Sequence, residues 1–365
     1  MFALKVDDDI SLLLHDMRDL EVFFKLIKNN HDHIKRFMDW VDNHQTLDNT
    51  RDYILDVRKQ FGERKEVATT IDYQGEIVGS IGLLLHNKNL RHGEIGYWLD
   101  KNAVGKGIIA RAARAMTDYG FTTLGLHKIV LRAMPHNERS LAVAKRLGYK
   151  YQGIDVHAAL LYGEYYDFDT YYMLEDDWTA TQEAPEFSHQ VDEKIGLRLF
   201  EPRHADEVFA LVDSHRAYLR QWLPWVDDST SVDKTREFIN SSLAQYAKND
   251  GLQVGIWYEG EFCGACGYHY WDFKHKKSEI GYWLAESHIG KGIMTRTVKA
   301  LLNYAFSVLD LQRVEIHCAV GNIKSCAIPE RLGFTHEGVV RDGQHVNDVF
   351  YDNNIYVMLS DEWQK

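Results

Sequence analysis

No cysteine stands before Cys263, and the four in the chain, Cys263, Cys266, Cys318 and Cys326, all lie in the second half. A disulfide scaffold distributes paired cysteines along a short secreted chain, so this usage leads us to expect a reducing compartment. Cys263 and Cys266 spell C-x-x-C, but residues three apart on a strand point to opposite faces, and no second pair completes a zinc site. The sequence also lacks any apolar run of about eighteen residues, the length a membrane span requires. Its opening, MFALKVDDDI, is acidic where a secretory leader is basic and then apolar. Positive charge is in deficit as well: 42 Lys and Arg stand against 54 Asp and Glu, a formal charge of −12. Phosphate backbones need a local surplus of cations, so neither nucleic acid nor a membrane is an expected partner, whereas a cationic amine suits this field. These absences lead us to expect a cytoplasmic globular chain.

What is present is a repeat. EIGYWL occurs at Glu94 to Leu99 and again at Glu279 to Leu284, 185 residues apart, and G-K-G-I follows each copy. The same shift lays Trp40-Val41-Asp42 on Trp225-Val226-Asp227, Gly75-Glu76 on Gly260-Glu261, Asn137 on Asn322, Ser140 on Ser325, and Leu147-Gly148 on Leu332-Gly333, with no gap. A repeat of this length is a duplicated globular domain rather than a solenoid unit. We expect a first domain over 1–178, a polar linker holding Pro185 over 179–192, and a second domain over 193–365.

Within the second copy, alternation predicts a strand over Ile195 to Phe200, then helices carrying Val208, Leu211 and Val212 and, after Trp225, Phe238, Ile239, Leu243 and Tyr246. Strands follow over Leu252 to Tyr258, Phe262 to Trp271 and Glu279 to Leu284, divided by turn signals such as Glu259-Gly260-Glu261. Beyond G-K-G we expect a helix from Ile293 to Leu309, a strand from Arg313 to Ala319 and a helix from Ser325 to Leu332. Two strands close the copy, near Glu337 and over Tyr351 to Leu359. The order β-α-α-β-β-β-α-β-α-β-β predicts an α/β sandwich with a mixed sheet.

Gly290-Lys291-Gly292 and Gly105-Lys106-Gly107 each sit between a strand and a helix. Unhindered backbone amides at a helix N-terminus, with the helix dipole behind them and a lysine beside them, suit a diphosphate. A tight turn is the plain alternative. A P-loop needs G-x-x-x-x-G-K-[ST], and Ile108 and Ile293 follow instead of a hydroxyl residue. A dinucleotide fingerprint is spelled by Gly105 to Ala110, but Thr295 breaks it in the second copy, and Gly125 stands near where the ribose-binding acid belongs.

Taken together, EIGYWL, the G-K-G loop, the following helix, the strand leading into Asn-x-x-Ser and the closing Leu-Gly-aromatic resemble the GNAT acetyltransferases, and more narrowly their ribosomal-protein N-acetyltransferase branch. The second half is the closer match, through Asn322-Ile323-Lys324-Ser325, Pro329 to Phe334, Glu337-Gly338 and Arg341-Asp342-Gly343. The resemblance implies two tandem GNAT-type domains, each a mixed central sheet flanked by helices. In each, acetyl-CoA would lie as cosubstrate, without a metal, in a V-shaped gap beside the EIGYWL strand, its pyrophosphate on the G-K-G amides. The transfer would be direct, from thioester to amine, with no acyl-enzyme.

Residue by residue, Asn137 and Asn322 would contact the CoA arm, or merely end a strand. Ser140 and Ser325 would supply the acid for the departing thiolate, or cap the helix they open. Glu94 and Glu279 would accept the amine proton, or simply begin a strand at a solvated edge. Trp40 and Trp225 would line the acceptor side, or belong to the core. Arg341 and Asp342 are carried to the acceptor side too. Three departures stand out: Ala144 and Pro329 occupy the position where many GNAT enzymes keep an acid tyrosine. Val104 and Ile289 replace the Gln or Arg before the glycine loop. Val156-His157-Ala158 replaces Arg-Asp-Gly in the first half, which points to the second half as the catalyst. The expected acceptor is a protein N-terminal amine, with a polyamine, aminoglycoside or amino acid as alternative and a non-catalytic CoA sensor as a third reading. Duplication also leads us to expect an intramolecular pseudo-dimer.

Overall fold

The computed structural model describes residues 3–87, 89–180 and 185–363. They divide into two compact units, Phe2–Phe187 and Ser188–Lys365, each taken by itself below.

The first unit contains strands β1 (Ala3–Lys5), β2 (Ile10–Leu14), β3 (Glu66–Tyr73), β4 (Glu76–Asn87), β5 (His92–Leu99), β6 (Lys128–Ala133), β7 (Lys150–Leu161) and β8 (Glu164–Leu174). Its helices are α1 (Leu20–Asn29), α2 (His31–Lys35), α3 (Leu47–Gly62), α4 (Ile108–Asp118) and α5 (Glu138–Arg146). The strands run in the order β1-β2-β3-β4-β5-β6-β8-β7. Every neighbouring pair is antiparallel except β5 and β6, which α4 joins as a crossover.

The second unit repeats the plan with β9 (Ser188–Gln190), β10 (Ile195–Leu199), β11 (Leu252–Tyr258), β12 (Glu261–Asp272), β13 (Lys277–Leu284), β14 (Arg313–Ala319), β15 (Thr335–Val346) and β16 (Val349–Leu359). Its helices are α6 (Ala205–Ser214), α7 (Arg216–Leu219), α8 (Val232–Ala247), α9 (Ile293–Ser307) and α10 (Ile323–Arg331). The order is β9-β10-β11-β12-β13-β14-β16-β15, and only β13 and β14 are parallel. The mixed α/β architecture expected from the repeat is thus present in both halves.

Helix α9 illustrates how sequence spacing makes the layer. Ile293, Met294, Thr297, Val298, Leu301, Leu302 and Ala305 recur at three and four residues, and all are buried. Burying an aliphatic side chain of this size is worth about 1.5–3 kcal/mol, so this stripe fixes which face of α9 meets β12 and β13. Tyr268 of β12 reaches through the core to donate its hydroxyl to the Leu301 carbonyl. The opposite face of the sheet is covered by α6 and the segment after it, where Val212, Leu219 and Val226 form a cluster against Trp283.

Two differences from expectation concern local chemistry. Ser188–Gln190, inside the segment expected as linker, pairs antiparallel with β10 from Ser188↔Arg198 to Gln190↔Gly196, so part of that polar stretch is strand. Helix α10 begins at Ile323 rather than Ser325, because the Asn322 side chain accepts from the Ser325 N–H at 3.2 Å and caps the helix two residues earlier. Among the described residues no helix is long and apolar enough to cross a membrane.

Candidate active site

In each unit the single parallel ladder is short. β13 pairs with β14 only through Lys277↔Arg313, Ser278↔Val314 and Glu279↔Glu315. Beyond that rung β13 stays bonded to β12 as far as Leu284, while β14 stays bonded to β16 as far as Ala319. The two strands therefore part like the arms of a V. A bulge in β12 between Tyr268 and Trp271 lies opposite Ile280 and Ser278, at the point of departure, and bulges bend and twist a sheet. The first unit repeats the opening after Glu94↔Val130, with a bulge between Leu85 and Asn87. Glu94 and Glu279 are thus neither strand beginnings nor edge residues. Each is the third residue of its strand and sits at the fork of the V.

At the open end of the V lies the glycine loop. Gly290 and Gly292 have φ of +81° and +70°, and Gly105 and Gly107 have +91° and +72°. A Cβ placed on any of the four would meet nothing within 4 Å. The glycines are therefore required by backbone angle, and open space stands in front of them. No side chain caps α4 or α9, whose N-cap residues are Gly107 and Gly292. This is a cradle shaped for an anion. Lys291 is parked over the Tyr258 ring at 5.3 Å, and Lys106 over Tyr73 at 5.2 Å. Arg296 braces the loop by donating to the Lys291 carbonyl at 3.3 Å, and is itself held by Asp192 at 2.6 Å. Arg111 is held in the same way by Asp7 at 2.9 Å. The two arginine–aspartate braces escaped the sequence reading, although the repeat shift relates them.

The wall on the α9 side of the V brings Ser and Tyr together. Ser325 is the third residue of α10, and its Oγ donates to the Tyr282 Oη at 3.4 Å. Tyr282 in turn donates to the Ser325 carbonyl at 3.1 Å. That carbonyl is short of a donor because the residue four further on is Pro329, which has no N–H. In the first unit Tyr97 lies 3.0 Å from the Ser140 Oγ. Burial pushes the Tyr97 phenol up to about 12 and raises Tyr282 further, so both stay protonated near neutrality. Asn137, like Asn322, caps its helix by accepting from the N–H of Ser140, at 3.3 Å. The helix-capping alternative considered for Ser140 and Ser325 thus belongs to Asn137 and Asn322. In each half a buried tyrosine of the EIGYWL strand thus meets the serine; the repeated Tyr in that motif was the available signal.

The other face of the fork carries charge. Glu94 is gripped by Arg132, Nε to Oε1 at 3.1 Å and Nη2 to Oε2 at 2.8 Å, and His86 reaches the same carboxylate at 2.9 Å. Arg132 also reaches Asp155 at 3.2 Å. A groove of about 590 Å³ opens here, lined by His86, Glu94, Lys128, Arg132, Gln152 and Asp155 among others. At the second fork the residue in the Arg132 position is His317. Its Nε2 lies 2.9 Å from Glu315 and its Nδ1 lies 3.7 Å from Glu279. His269 approaches Glu279 at 3.3 Å, over Gly281, where any Cβ would strike the imidazole. Burial raises the Glu279 carboxyl, but the His269 hydrogen bond and the charge of His317 outweigh it and hold the group below the ordinary carboxylate range. Arg313 joins Glu315 at 2.7 Å and Glu337 through two bonds of 2.8 and 2.7 Å.

Trp225 is 38% exposed and tilts against Trp283 with ring centroids 5.8 Å apart. Trp40 is half-buried against Trp98 and His44. Trp225 is thus exposed, Trp40 lies between core and surface, and neither is a core residue. Arg341 and Asp342 are exposed on β15 where its register with β16 jumps, and the Asp342 N–H donates to Asp352 at 2.9 Å. His157 has the same left-handed backbone and donates to Asp167 at 2.8 Å, so the bulge survives the loss of Arg-Asp-Gly. Cys263 and Cys266 are buried free thiols. Among the described residues no group of three or more His, Cys, Asp or Glu could hold a metal ion.

Comparison with known proteins follows the same division. The family description "Acetyltransferase (GNAT) domain" matches residues 11–150 and again residues 194–335. "Putative ribosomal N-acetyltransferase YdaF" of Bacillus subtilis (strain 168) is 41% identical over 179 residues, covering 49% of this chain and 98% of that protein. The ribosomal-protein-serine acetyltransferase of Escherichia coli (strain K12) is 28% identical over 172 residues, covering 47% and 96%. A solved structure of RimL, ribosomal L7/L12 alpha-N-protein acetyltransferase, in complex with coenzyme A is 30% identical and covers 48% of this chain and 99% of its own, with a TM-score of 0.46. With the V-shaped opening and the glycine cradle built twice and the domain matched twice, the chain belongs to the GNAT acetyltransferase family and carries its domain in tandem.

Proposed function

We propose that each half transfers the acetyl group of acetyl-CoA directly to a primary amine, and that the acceptor is a protein N-terminus. The observation that carries the reading is the V itself: a strand edge without a partner beyond Glu279, with an uncapped, glycine-lined helix N-terminus at its mouth. The free edge suits the amides of a pantetheine arm, and the cradle suits a pyrophosphate. The ribosomal-protein-serine acetyltransferase among the relatives, and the name of the putative ribosomal N-acetyltransferase, support the choice of acceptor.

In this reading the neutral amine attacks the thioester carbonyl, the C–N bond forms and the C–S bond breaks. The surplus proton of the amine passes to the glutamate at the fork, Glu94 or Glu279, directly or through water. The leaving thiolate takes the hydroxyl proton of Ser140 or Ser325, which solvent restores. Asn137 and Asn322, as caps, hold the first turn carrying that serine, and the Gly-Lys-Gly loops bind the diphosphate. Trp40 and Trp225 flank the acceptor side, with Arg341 and Asp342 on the hairpin beside it. The expectation of divided labour, with the second half favoured as the catalyst, rested on Arg341-Asp342-Gly343. Because the bulge keeps its form in the first half and both Ser–Tyr pairs are built, we assign transfer to both.

Calorimetric titration of acetyl-CoA into the intact chain tests the first step, and two sites are expected. Incubation with acetyl-CoA and a synthetic peptide bearing a free N-terminal serine tests the second, read as an acetyl mass gain on the α-amine. Binding without any acetylated peptide would remove the protein N-terminus as acceptor.

A further inference from the structure

The two forks are the same construction with different charges. In the first, Glu94 and Asp155 stand against Arg132 and Lys128, two carboxylates to two cations. In the second, Glu279, Glu315 and Glu337 stand against Arg313 and Lys277, the latter two residues before Glu279 on the same strand, with His269 and His317 as further partners. Position for position, Val130 becomes Glu315, Arg132 becomes His317, Gln152 becomes Glu337 and Asp155 becomes Val340. The consequence is sharpest at the fork glutamate. Glu94 is paired with a guanidinium that never loses its charge, through two parallel hydrogen bonds. Glu279 has imidazoles rather than a guanidinium beside it, neither closer than 3.3 Å.

The side of the sheet matters too. Glu279, Gly281 and Trp283 alternate onto the face covered by α6 and the Trp225 segment, whereas Tyr282 points the other way, to Ser325. The serine thus works from one face of the V and the charged fork from the other.

We propose that the two halves select acceptors of different charge: the second half takes amines that carry a further positive charge near the reacting nitrogen, and the first half takes amines whose neighbourhood is neutral or acidic. This inference rests on the reading of both halves as N-acetyltransferases. The second fork sets three carboxylates, Glu279 and Glu315 mostly withdrawn from solvent, against fewer lysine and arginine cations, and an added cation gains most there. In the first fork a cationic neighbour finds Glu94 already occupied and meets Arg132 and Lys128.

The test uses the full chain with one half silenced at a time. Gly107→Glu or Gly292→Glu puts a strained residue and a negative charge into the phosphate cradle, and Gly105→Glu and Gly290→Glu serve as second variants. Two peptides with a free N-terminal serine are compared, one continuing with two lysines and one with two glutamates. With the first half silenced, kcat/KM is expected to favour the lysine peptide by about tenfold or more, falling at high salt. With the second half silenced, the ratio is expected to be flat or inverted. Adding Val130→Glu and Arg132→His to that chain should move it toward the lysine peptide. The same ratio in both silenced chains, or no movement on the double exchange, overturns the proposal. Titration with spermidine in the absence of acetyl-CoA reads charge selection without turnover. Glu315→Val with His317→Arg, which give the second fork the residues of the first, should weaken spermidine binding relative to the unaltered chain, and that loss upholds the proposal even where neither peptide is acetylated, which would then be a failure of the peptide reading alone. Unchanged spermidine binding on that exchange overturns it.

Discussion

The Tyr282 hydroxyl donates to the Ser325 carbonyl at 3.1 Å, and the Ser325 hydroxyl returns a bond to it at 3.4 Å. The first half builds the same contact without a proline: the Tyr97 hydroxyl donates to the Ser140 carbonyl at 3.3 Å although Ala144 stands where the second half has Pro329. With the tyrosine proton on the Ser325 carbonyl, the serine is the donor between the two hydroxyls.

The first prediction follows from that pair. In a chain whose first half is silenced, Ser325→Ala should lower kcat by about 10- to 100-fold, the scale of a lost general acid, with little change in KM for acetyl-CoA. Tyr282→Phe should cost less, about three- to tenfold, since it orients the serine without giving up the proton. Steady-state kinetics at saturating acceptor separates the two. An unchanged kcat in Ser325→Ala would remove the serine from the reaction.

Glu279 offers a test by pH. Its carboxyl is held below the ordinary range, so it stays anionic and able to accept a proton down to that lowered value. The acid limb it causes should therefore lie below an ordinary glutamate's range, and activity should fall as pH falls through it. Glu279→Gln is expected to lower kcat by about tenfold or more and to abolish this limb. Glu94→Gln, measured with the second half silenced, should also remove one of the two carboxylates that hold Arg132, leaving Asp155, so a loss of stability is expected beside the loss of rate. Unfolding midpoints of the two variants distinguish these effects.

The glycine cradle predicts a split between binding and turnover. Gly292→Ala keeps the loop short but places a Cβ in the open space before the amides and forces a left-handed residue, at a cost of about 1–2 kcal/mol. Affinity for acetyl-CoA should fall at the second site only, leaving one calorimetric site of unchanged affinity. Loss at both sites together would contradict two independent cradles.

These features differ in how far the sequence discloses them. The repeat is a one-dimensional signal, so EIGYWL and G-K-G revealed the tandem organisation without a structure. Arg313 to Ala319 was delimited as a strand because alternation and turn residues are local. The Asn322 cap was missed although Asn and Ser stand three apart, since either can cap and only backbone geometry decides between them. The grip of Arg132 on Glu94 was out of reach, because 38 residues separate the pair and the fork that joins them arises from strand pairing. Ser188–Gln190 is short and polar, and becomes a strand only through its partner β10.

The last prediction concerns acid stability of the first half. His15 is fully buried, with its Nε2 3.3 Å from the Ser80 hydroxyl and its ring against Phe23 and Tyr53. Burial first, then the charge of Arg58 and the neighbouring His44, lowers its pKa from 6.5 to about 3. Between those values the unfolded chain binds a proton that the folded chain refuses, so stability falls as pH falls, by about 1.4 kcal/mol per pH unit from this group. The repeat puts Phe200 at the corresponding place in the second half, buried and without a proton to gain. On acidification from pH 6.5 the first half is therefore expected to lose hydrogen-exchange protection before the second. His15→Phe should flatten that dependence, with any strain from the larger ring appearing as an offset independent of pH. Wild type and variant with parallel pH profiles would show that His15 is not the source of the sensitivity.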